Sequence, residues 1–298
     1  MGDQVLEQAA ALAALQAITP GFGLDSSAAE LMGPVADNAV FRLPGQIVAR
    51  VTASADADRA RREVAAGRWL AAQGLPAVRP VESIEQPVIA AAYVVTFWHE
   101  VPEAVMASTA ELGALLRQLH DLPLPNDFEI PPLDPFVRLD EHLTAAGTEL
   151  TQEDRTFLAH RLLRLRDDYT KVTIDSVSRV IHGDANRKNA IRGADGVAVL
   201  LDLERFSVGP PEWDLVVPAV YQRLGWYSDA EYDAFVEAYG RDVRHWTGFG
   251  VFAALREFRM TVWLLSRLAR EPRLRAEAER RIHSLRHPAT SRSWTPGA

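Results

Sequence analysis

The sequence predicts an α+β chain of two lobes, a small strand-rich one followed by a larger helical one. Three features carry this expectation. Short β-branched and aromatic runs dominate the first hundred residues, and after Trp98 the apolar residues recur at helical spacing. A strand–loop–strand inset over residues 179–204 then interrupts the helices and holds the polar residues of interest. The lobes are expected to divide at the end of the run closing on Trp98, as residues 1–97 and 98–298.

Taken in order, Gln4 to Ile18 reads as an Ala-rich amphipathic helix. Ala39 to Leu43 and Ile47 to Val51 flank Pro44-Gly45, a hairpin signal. A helix follows from about Asp56 to Gln73, with Gly74 as its stop. The run Ala91 to Trp98 has the content of a buried strand. Leu112, Leu115, Leu116 and Leu119 then mark a helix over 109–121, a Pro-rich connector spans 123–135, and a long helix fits 152–171. Short apolar strands are expected at 179–181 and 197–201, and helices again from Asp229, including 252–268. The tail from Pro288 has little to pack and is expected to be loose.

Composition narrows the function. The chain has 298 residues, 48% apolar and 24% charged, which suits one large domain or two modest ones. It has no cysteine, which excludes disulfides, thiolate nucleophiles and cysteine-held zinc or iron–sulfur sites. Eight histidines are present without an H-E-x-x-H spacing, which sets aside a zinc hydrolase. A net charge of −8 disfavours nucleic acid as a partner, because phosphate backbones need clustered Lys and Arg. No apolar run reaches the roughly 18 residues of a membrane helix. The first stretch carries Glu7 and no basic lead-in, unlike a signal peptide, so a cytoplasmic protein is expected.

The inset carries the chemistry. It reads Val180-Ile181-His182-Gly183-Asp184-Ala185-Asn186-Arg187-Lys188-Asn189, turns through Gly193 and Gly196, and continues Val199-Leu200-Leu201-Asp202-Leu203-Glu204. Two apolar strands would thus deliver Asp184, Asn189 and Asp202 to neighbouring loops. Phosphoryl transfer needs an acceptor hydroxyl positioned, its proton accepted, and phosphate charge neutralised by a divalent cation on hard oxygen ligands. An Asp five residues before an Asn is the spacing of base and metal ligand in a kinase catalytic loop. The bland alternative is that His182 and Asp184 cap a turn while Asp202 ends a strand.

The series His182-Gly183-Asp184-x4-Asn189, with Asp202 beyond it, resembles the catalytic core of the aminoglycoside phosphotransferase family. Gly209-Pro210-Pro211-Glu212-Trp213-Asp214-Leu215 resembles the segment that follows the metal-binding Asp in that family. The resemblance implies a bilobal protein-kinase-like fold with a small antiparallel-sheet N-lobe and a larger helical C-lobe. It implies Asp184 as catalytic base, His182 as support for the catalytic loop, Asn189 and Asp202 as Mg²⁺ ligands, and ATP or GTP as co-substrate. Asp214 is expected to brace the loop through backbone hydrogen bonds.

The same resemblance places the nucleotide in the first lobe. Arg50, in the strand 47–51, would contact phosphates and pair with Glu63 on the following helix, with Arg standing where better-known members have Lys. A surface Arg and a solvated Glu are the alternative reading of that pair. Phe97 and His99 fall in the hinge run whose main-chain groups would face the adenine, with core packing as the other reading of the pair Phe97-Trp98. Lys188 and Arg187 could help to hold the γ-phosphate, with a solvated loop surface as their alternative. Gly33-Pro34-Val35-Ala36-Asp37-Asn38 stands where a protein kinase has its Gly-rich loop, and its single Gly argues against a protein kinase.

The acceptor is left open. Asp134, Asp140, Glu141, Glu231 and Asp233 could line a pocket for a cationic aminoglycoside, with solvated helix charges as their alternative reading, and Trp226, Tyr227 and Trp246 one for a sugar, macrolide or lipid-like alcohol. The function expected is transfer of the γ-phosphate of a Mg-nucleotide to a hydroxyl of a small molecule, such as an aminoglycoside or other antibiotic. The alternatives are a kinase of a metabolite such as an amino alcohol or sugar, or a nucleotide-binding protein with little turnover. A decayed kinase usually loses one of Asp184, Asn189 and Asp202, and all three are present.

Overall fold

Leu43 pairs with Ile47 across the turn Pro44-Gly45-Gln46, as the hairpin signal predicts. Gly45 and Gln46 both take positive φ, 83° and 60°, a region that glycine enters without a Cβ clash. The structure, a computed structural model that describes residues 7–35, 38–290 and 292–296, divides into two compact units. Along the described residues the helices are α1 (Gln8–Ile18), α2 (Ala57–Ala72), α3 (Thr109–Asp121), α4 (Leu139–Ala146), α5 (Gln152–Thr170), α6 (Glu212–Arg223), α7 (Asp229–Tyr239), α8 (Phe249–Leu265) and α9 (Arg275–Arg286). The strands are β1 (Glu30–Leu31), β2 (Asn38–Leu43), β3 (Ile47–Ala53), β4 (Val88–Ala90), β5 (Tyr93–His99), β6 (Val105–Met106), β7 (Arg179–Ile181), β8 (Ala190–Arg192), β9 (Ala198–Leu200) and β10 (Ser207–Gly209). None of these helices is long and apolar enough to cross a membrane.

The first unit gathers Met1–Ser108, Asp121–Pro131 and Arg187–Phe206. Its main sheet is antiparallel throughout, in the order β1-β2-β3-β5-β4. Because strand side chains alternate faces, Ala39, Phe41 and Leu43 of β2, Ala49 and Val51 of β3, and Val95 and Phe97 of β5 form one apolar face. Ala11 and Leu15 of α1, with Val81 and Ile84, close the core over it. The same alternation turns Arg50, between Ala49 and Val51, to the other face. Helix α2 buries Glu63, Val64, Trp69 and Leu70. A smaller sheet, β6-β8-β9, completes the unit, and Val78 N–H donates to Leu200 O beside it.

One expectation shifts here. The strand foreseen over 91–98 begins at Tyr93, because Ala91 turns with φ +53° between β4 and β5. β4 has three residues, too few to show a period, and exists through its pairing with β5. Gln4–Leu6 of the foreseen first helix, and Ala36 and Asp37 of the segment replacing a Gly-rich loop, lie outside the described residues.

The second unit gathers Thr109–His120, Pro132–Asn186 and Ser207–Ala298, and is helical apart from the ribbon of β7 and β10. Both short strands foreseen at 179–181 and 197–201 form, in separate sheets. β7 pairs with β10, while β9 pairs with β8, so the two apolar runs are not partners. Three-residue strands carry no register signal of their own, so sequence pattern cannot name their partners. The tail is also tied down over 292–296. Trp294 is buried, and its indole N–H donates to Ser284 Oγ at 2.8 Å. Ser291, Gly297 and Ala298 of the tail lie outside the described residues.

Candidate active site

The loop after β7 is held from beneath. Gly183 takes φ +84°, a turn that favours a residue without Cβ, and it directs two successive N–H groups at one carboxylate. His182 N–H donates to Asp214 Oδ2 at 2.7 Å and Gly183 N–H to Asp214 Oδ1 at 2.8 Å. Asp214 is fully buried in the first turn of α6, where the helix dipole favours a negative charge. Its third partner is His120, whose Nε2 lies 3.1 Å from Oδ2 while Nδ1 meets Tyr239 Oη at 2.9 Å. Trp213 Nε1 donates to Gly183 O at 3.1 Å, closing the brace. The main-chain support expected of Asp214 is thus present.

His182 is wholly buried, and its Nδ1 accepts the Asp184 N–H at 3.3 Å. That bond makes Nδ1 the acceptor and puts the proton of a neutral ring on Nε2. With no exposed surface, His182 shapes the loop. Asp184 stands at the loop surface, its side chain 34% exposed. Asn186 Nδ2 donates to Asp184 O at 3.0 Å and approaches Oδ2 at 3.4 Å. Arg256 of α8, which no sequence signal singled out, donates from Nη2 to Asp184 Oδ1 at 2.7 Å.

The first unit holds the other residues. Arg50 Nη1 donates to Glu63 Oε2 at 2.8 Å, joining β3 to α2 as the pairing expectation requires. Its Nη2 donates to Glu204 Oε2 at 3.2 Å, and Arg59 Nη1 stands 3.8 Å from the same oxygen. Glu204 was missed in the sequence because its link to Arg50 spans 154 positions. Burial pushes the Glu63 carboxyl up to about 7, against the downward pull of Arg50, with Glu204 and Asp202 adding repulsion. Burial lowers the affinity of the Arg50 guanidinium for its proton, but Glu63, Asp202 and Glu204 more than offset this. Arg50 is therefore a fixed cation among three carboxylates.

Asn189 and Asp202 share one end of the β8–β9 hairpin. Ala190 is in register with Leu200, and Leu201 N–H donates to Asn189 O at 2.9 Å, which leaves Asp202 next to that rung. Asp202 adopts φ +56° and ψ +70°, a left-handed conformation that Asp tolerates better than most residues. Such backbone costs on the order of 1–3 kcal/mol and gathers at functional sites. Among the described residues no three His, Asp or Glu side chains form a metal cluster. One amide oxygen and one carboxylate nevertheless fit magnesium, which takes one or two carboxylates and completes its shell with phosphate oxygens and water.

The remaining expected residues are placed as follows. Lys188 is exposed in the single 3₁₀ turn Arg187–Asn189. His99 donates its main-chain N–H to Arg79 O, and its Nε2 lies 2.8 Å from Glu82. Phe97 is fully buried, its N–H given to Gln86 and its carbonyl taken by Val81 and Gln86. The aromatic ring thus follows the core-packing reading of this run. A sealed ring with both main-chain groups engaged packs the core and offers a ligand no hydrogen bond. Several acids considered for the acceptor pocket are also engaged: Glu231 closes the capping box of α7, Asp140 pairs with Arg166, and Glu141 with Arg138.

The fold is that of the protein-kinase-like small-molecule kinases. Amicoumacin kinase hAmiN, solved with AMP-PNP, Ca²⁺ and Ami, aligns with a TM-score of 0.72 at 13% identity, over 97% of this chain and 98% of that one. Choline kinase LicA from Streptococcus pneumoniae aligns at 0.64 and 15%, over 91% and 96%. Aminoglycoside phosphotransferase APH(3'')-Id from Streptomyces rimosus aligns at 0.60 and 20%, over 82% and 97%. No curated protein matches the sequence. The model of the phosphotransferase enzyme family, APH, matches residues 30–258, and the chain belongs to that family. Its activity class is that of the family, a phosphotransferase.

Proposed function

We propose that this chain moves the γ-phosphate of a Mg-bound nucleotide, ATP or GTP, onto a hydroxyl of a small molecule in the cytoplasm. The observation that carries this reading is the braced loop, in which Asp214 holds the main chain of His182 and Gly183 while Asp184 stays at the surface. Membership of the phosphotransferase family supports the same chemistry.

In this reading Asp184 orients the acceptor hydroxyl and takes its proton as the oxygen attacks phosphorus. His182 and Asn186 keep the loop in shape. Arg50, anchored by Glu63, contacts the α- and β-phosphates, and Lys188 reaches the γ-phosphate. Asn189 and Asp202 hold Mg²⁺, which when bound neutralises charge on the phosphate oxygens. His99 belongs to the hinge that borders the adenine. The nucleotide is assigned to the lobe of residues 1–97, and the acceptor pocket to residues 98–298.

An antibiotic acceptor is the leading choice. Solved relatives of this fold include the amicoumacin kinase with Ami and a spectinomycin phosphotransferase with ADP and spectinomycin. An amino alcohol is the second, in line with the choline kinase neighbours. A thermal-shift series with Mg-ATP and Mg-GTP, followed by aminoglycosides, amino alcohols and sugars, tests both halves, because a ligand that binds only the folded state raises the melting temperature. Asp202→Ala should remove most of the Mg-nucleotide shift. An unchanged shift in that variant would withdraw Asp202 from the metal site.

A further inference from the structure

Asp184 has a partner from outside its own loop. Arg256 lies 72 positions further on, and its Nη2, besides the 2.7 Å bond to Asp184 Oδ1, donates to Tyr221 Oη at 3.3 Å. The guanidinium carbon stands 5.9 Å from the centre of the Tyr221 ring. That ring is wedged by Trp226 and Tyr227, with centroids at 4.8 and 5.4 Å. Trp226 is fixed in turn, its indole N–H donating to Trp294 O at 2.8 Å. A chain of packed aromatic groups therefore holds one guanidinium against one oxygen of the proposed base.

Other buried ion pairs of this unit serve the framework. Arg281 answers Glu277, and Arg223 and Arg292 both answer Glu257, on carboxylates that are themselves buried. Arg256 differs in where its partner stands. Its carboxylate partner is a third exposed, while its own side chain is only 13% exposed. A largely buried guanidinium committed to a carboxylate at the loop surface holds that carboxylate in place, where the other pairs end on carboxylates inside the framework.

We propose that Arg256 is a positioning residue for phosphoryl transfer. By gripping Oδ1 it fixes the rotation of the Asp184 carboxylate, so that Oδ2, steadied by Asn186, is the oxygen presented to the acceptor. In the step itself the acceptor O–H bond breaks and its proton passes to Oδ2. The hydroxyl oxygen bonds to the γ-phosphorus, and the bond from that phosphorus to the bridging oxygen breaks, its electron pair leaving with the nucleoside diphosphate. Arg256 exchanges no proton and acts through Asp184. The inference rests on the reading of Asp184 as the base.

Steady-state hydrolysis of Mg-ATP by the full chain, with water as the acceptor, tests it without knowledge of the natural substrate. Arg256→Met should lower kcat about tenfold to a hundredfold, the scale expected for a misplaced catalytic group, with KM for Mg-ATP within about twofold of wild type. Arg256→Lys should recover part of the loss, and millimolar methylguanidinium should restore turnover to Arg256→Ala. Should the Met variant fail to fold, Tyr221→Phe decides, since it keeps the ring and removes one contact; its kcat should fall a few-fold at constant KM. Unchanged kcat in the variant that decides, or a matching rise in KM, overturns the inference and leaves the kinase reading standing. Absence of any turnover by the wild type, with Mg-ATP bound, removes the kinase reading itself.

Discussion

Arg50 and Glu63, 13 positions apart, meet at 2.8 Å between strand β3 and helix α2. Period-two alternation sends Arg50 away from the core face, and α2 meets it with a carboxylate that is almost wholly buried. The pair gives a nucleotide a cation whose place is already fixed. Arg50→Met should weaken Mg-nucleotide binding by at least about tenfold, since a hydrogen bond to a charged group is worth roughly 1.5–3 kcal/mol. Arg50→Lys should lose less, because a lysine can keep Glu63 without spanning to Glu204. Isothermal titration of the two variants gives the comparison.

The buried carboxyl of Glu63 makes a second expectation, in stability. Burial raises it from the ordinary 4.5 to about 7, so between those values the folded chain holds a proton that the unfolded chain has released. By linkage its contribution to stability is greatest below about pH 4.5 and declines as pH rises towards 7. Glu63→Gln should remove that decline. Denaturant midpoints at pH 5 and pH 8 should therefore differ less in the variant than in the wild type, and an equal difference would deny the raised value.

Asp214 is expected to matter for both folding and turnover. Its two oxygens accept the N–H groups of His182 and Gly183 and meet His120 Nε2. Asp214→Asn supplies one acceptor oxygen and turns an NH₂ towards a donor. A loss of roughly 2–4 kcal/mol is expected from the unsatisfied groups, together with a fall in kcat larger than any change in nucleotide affinity. Urea denaturation and steady-state kinetics of one preparation would read both.

What the sequence disclosed, and what it did not, follows from the distance over which each interaction acts. The hairpin at Pro44-Gly45, the helix over 109–121 and the loop from His182 to Asn189 are local, and each was legible. The Arg50–Glu63 pair was legible through its order along strand and helix. Arg256 and Glu204 were not, because their partners lie 72 and 154 positions away and a lone Arg or Glu on a helix or turn looks like any solvated charge. The pairing of β7 with β10 was hidden by strands of three residues. At Phe97 a hinge would be recognised through main chain, and only the structure reveals that Gln86 and Val81 occupy those groups.

The central claim is that Asp184 serves as the base for transfer from a Mg-nucleotide to a hydroxyl. The most direct test incubates the wild type and Asp184→Asn with Mg-ATP labelled at the γ-phosphate and the acceptors that raise its melting temperature, and measures labelled phosphoester alongside nucleotide affinity. The account predicts labelled product from the wild type and a loss of about 10²–10⁴-fold in kcat for the variant, with nucleotide affinity preserved. Equal product from the variant, or none from the wild type while nucleotide is bound, would contradict it.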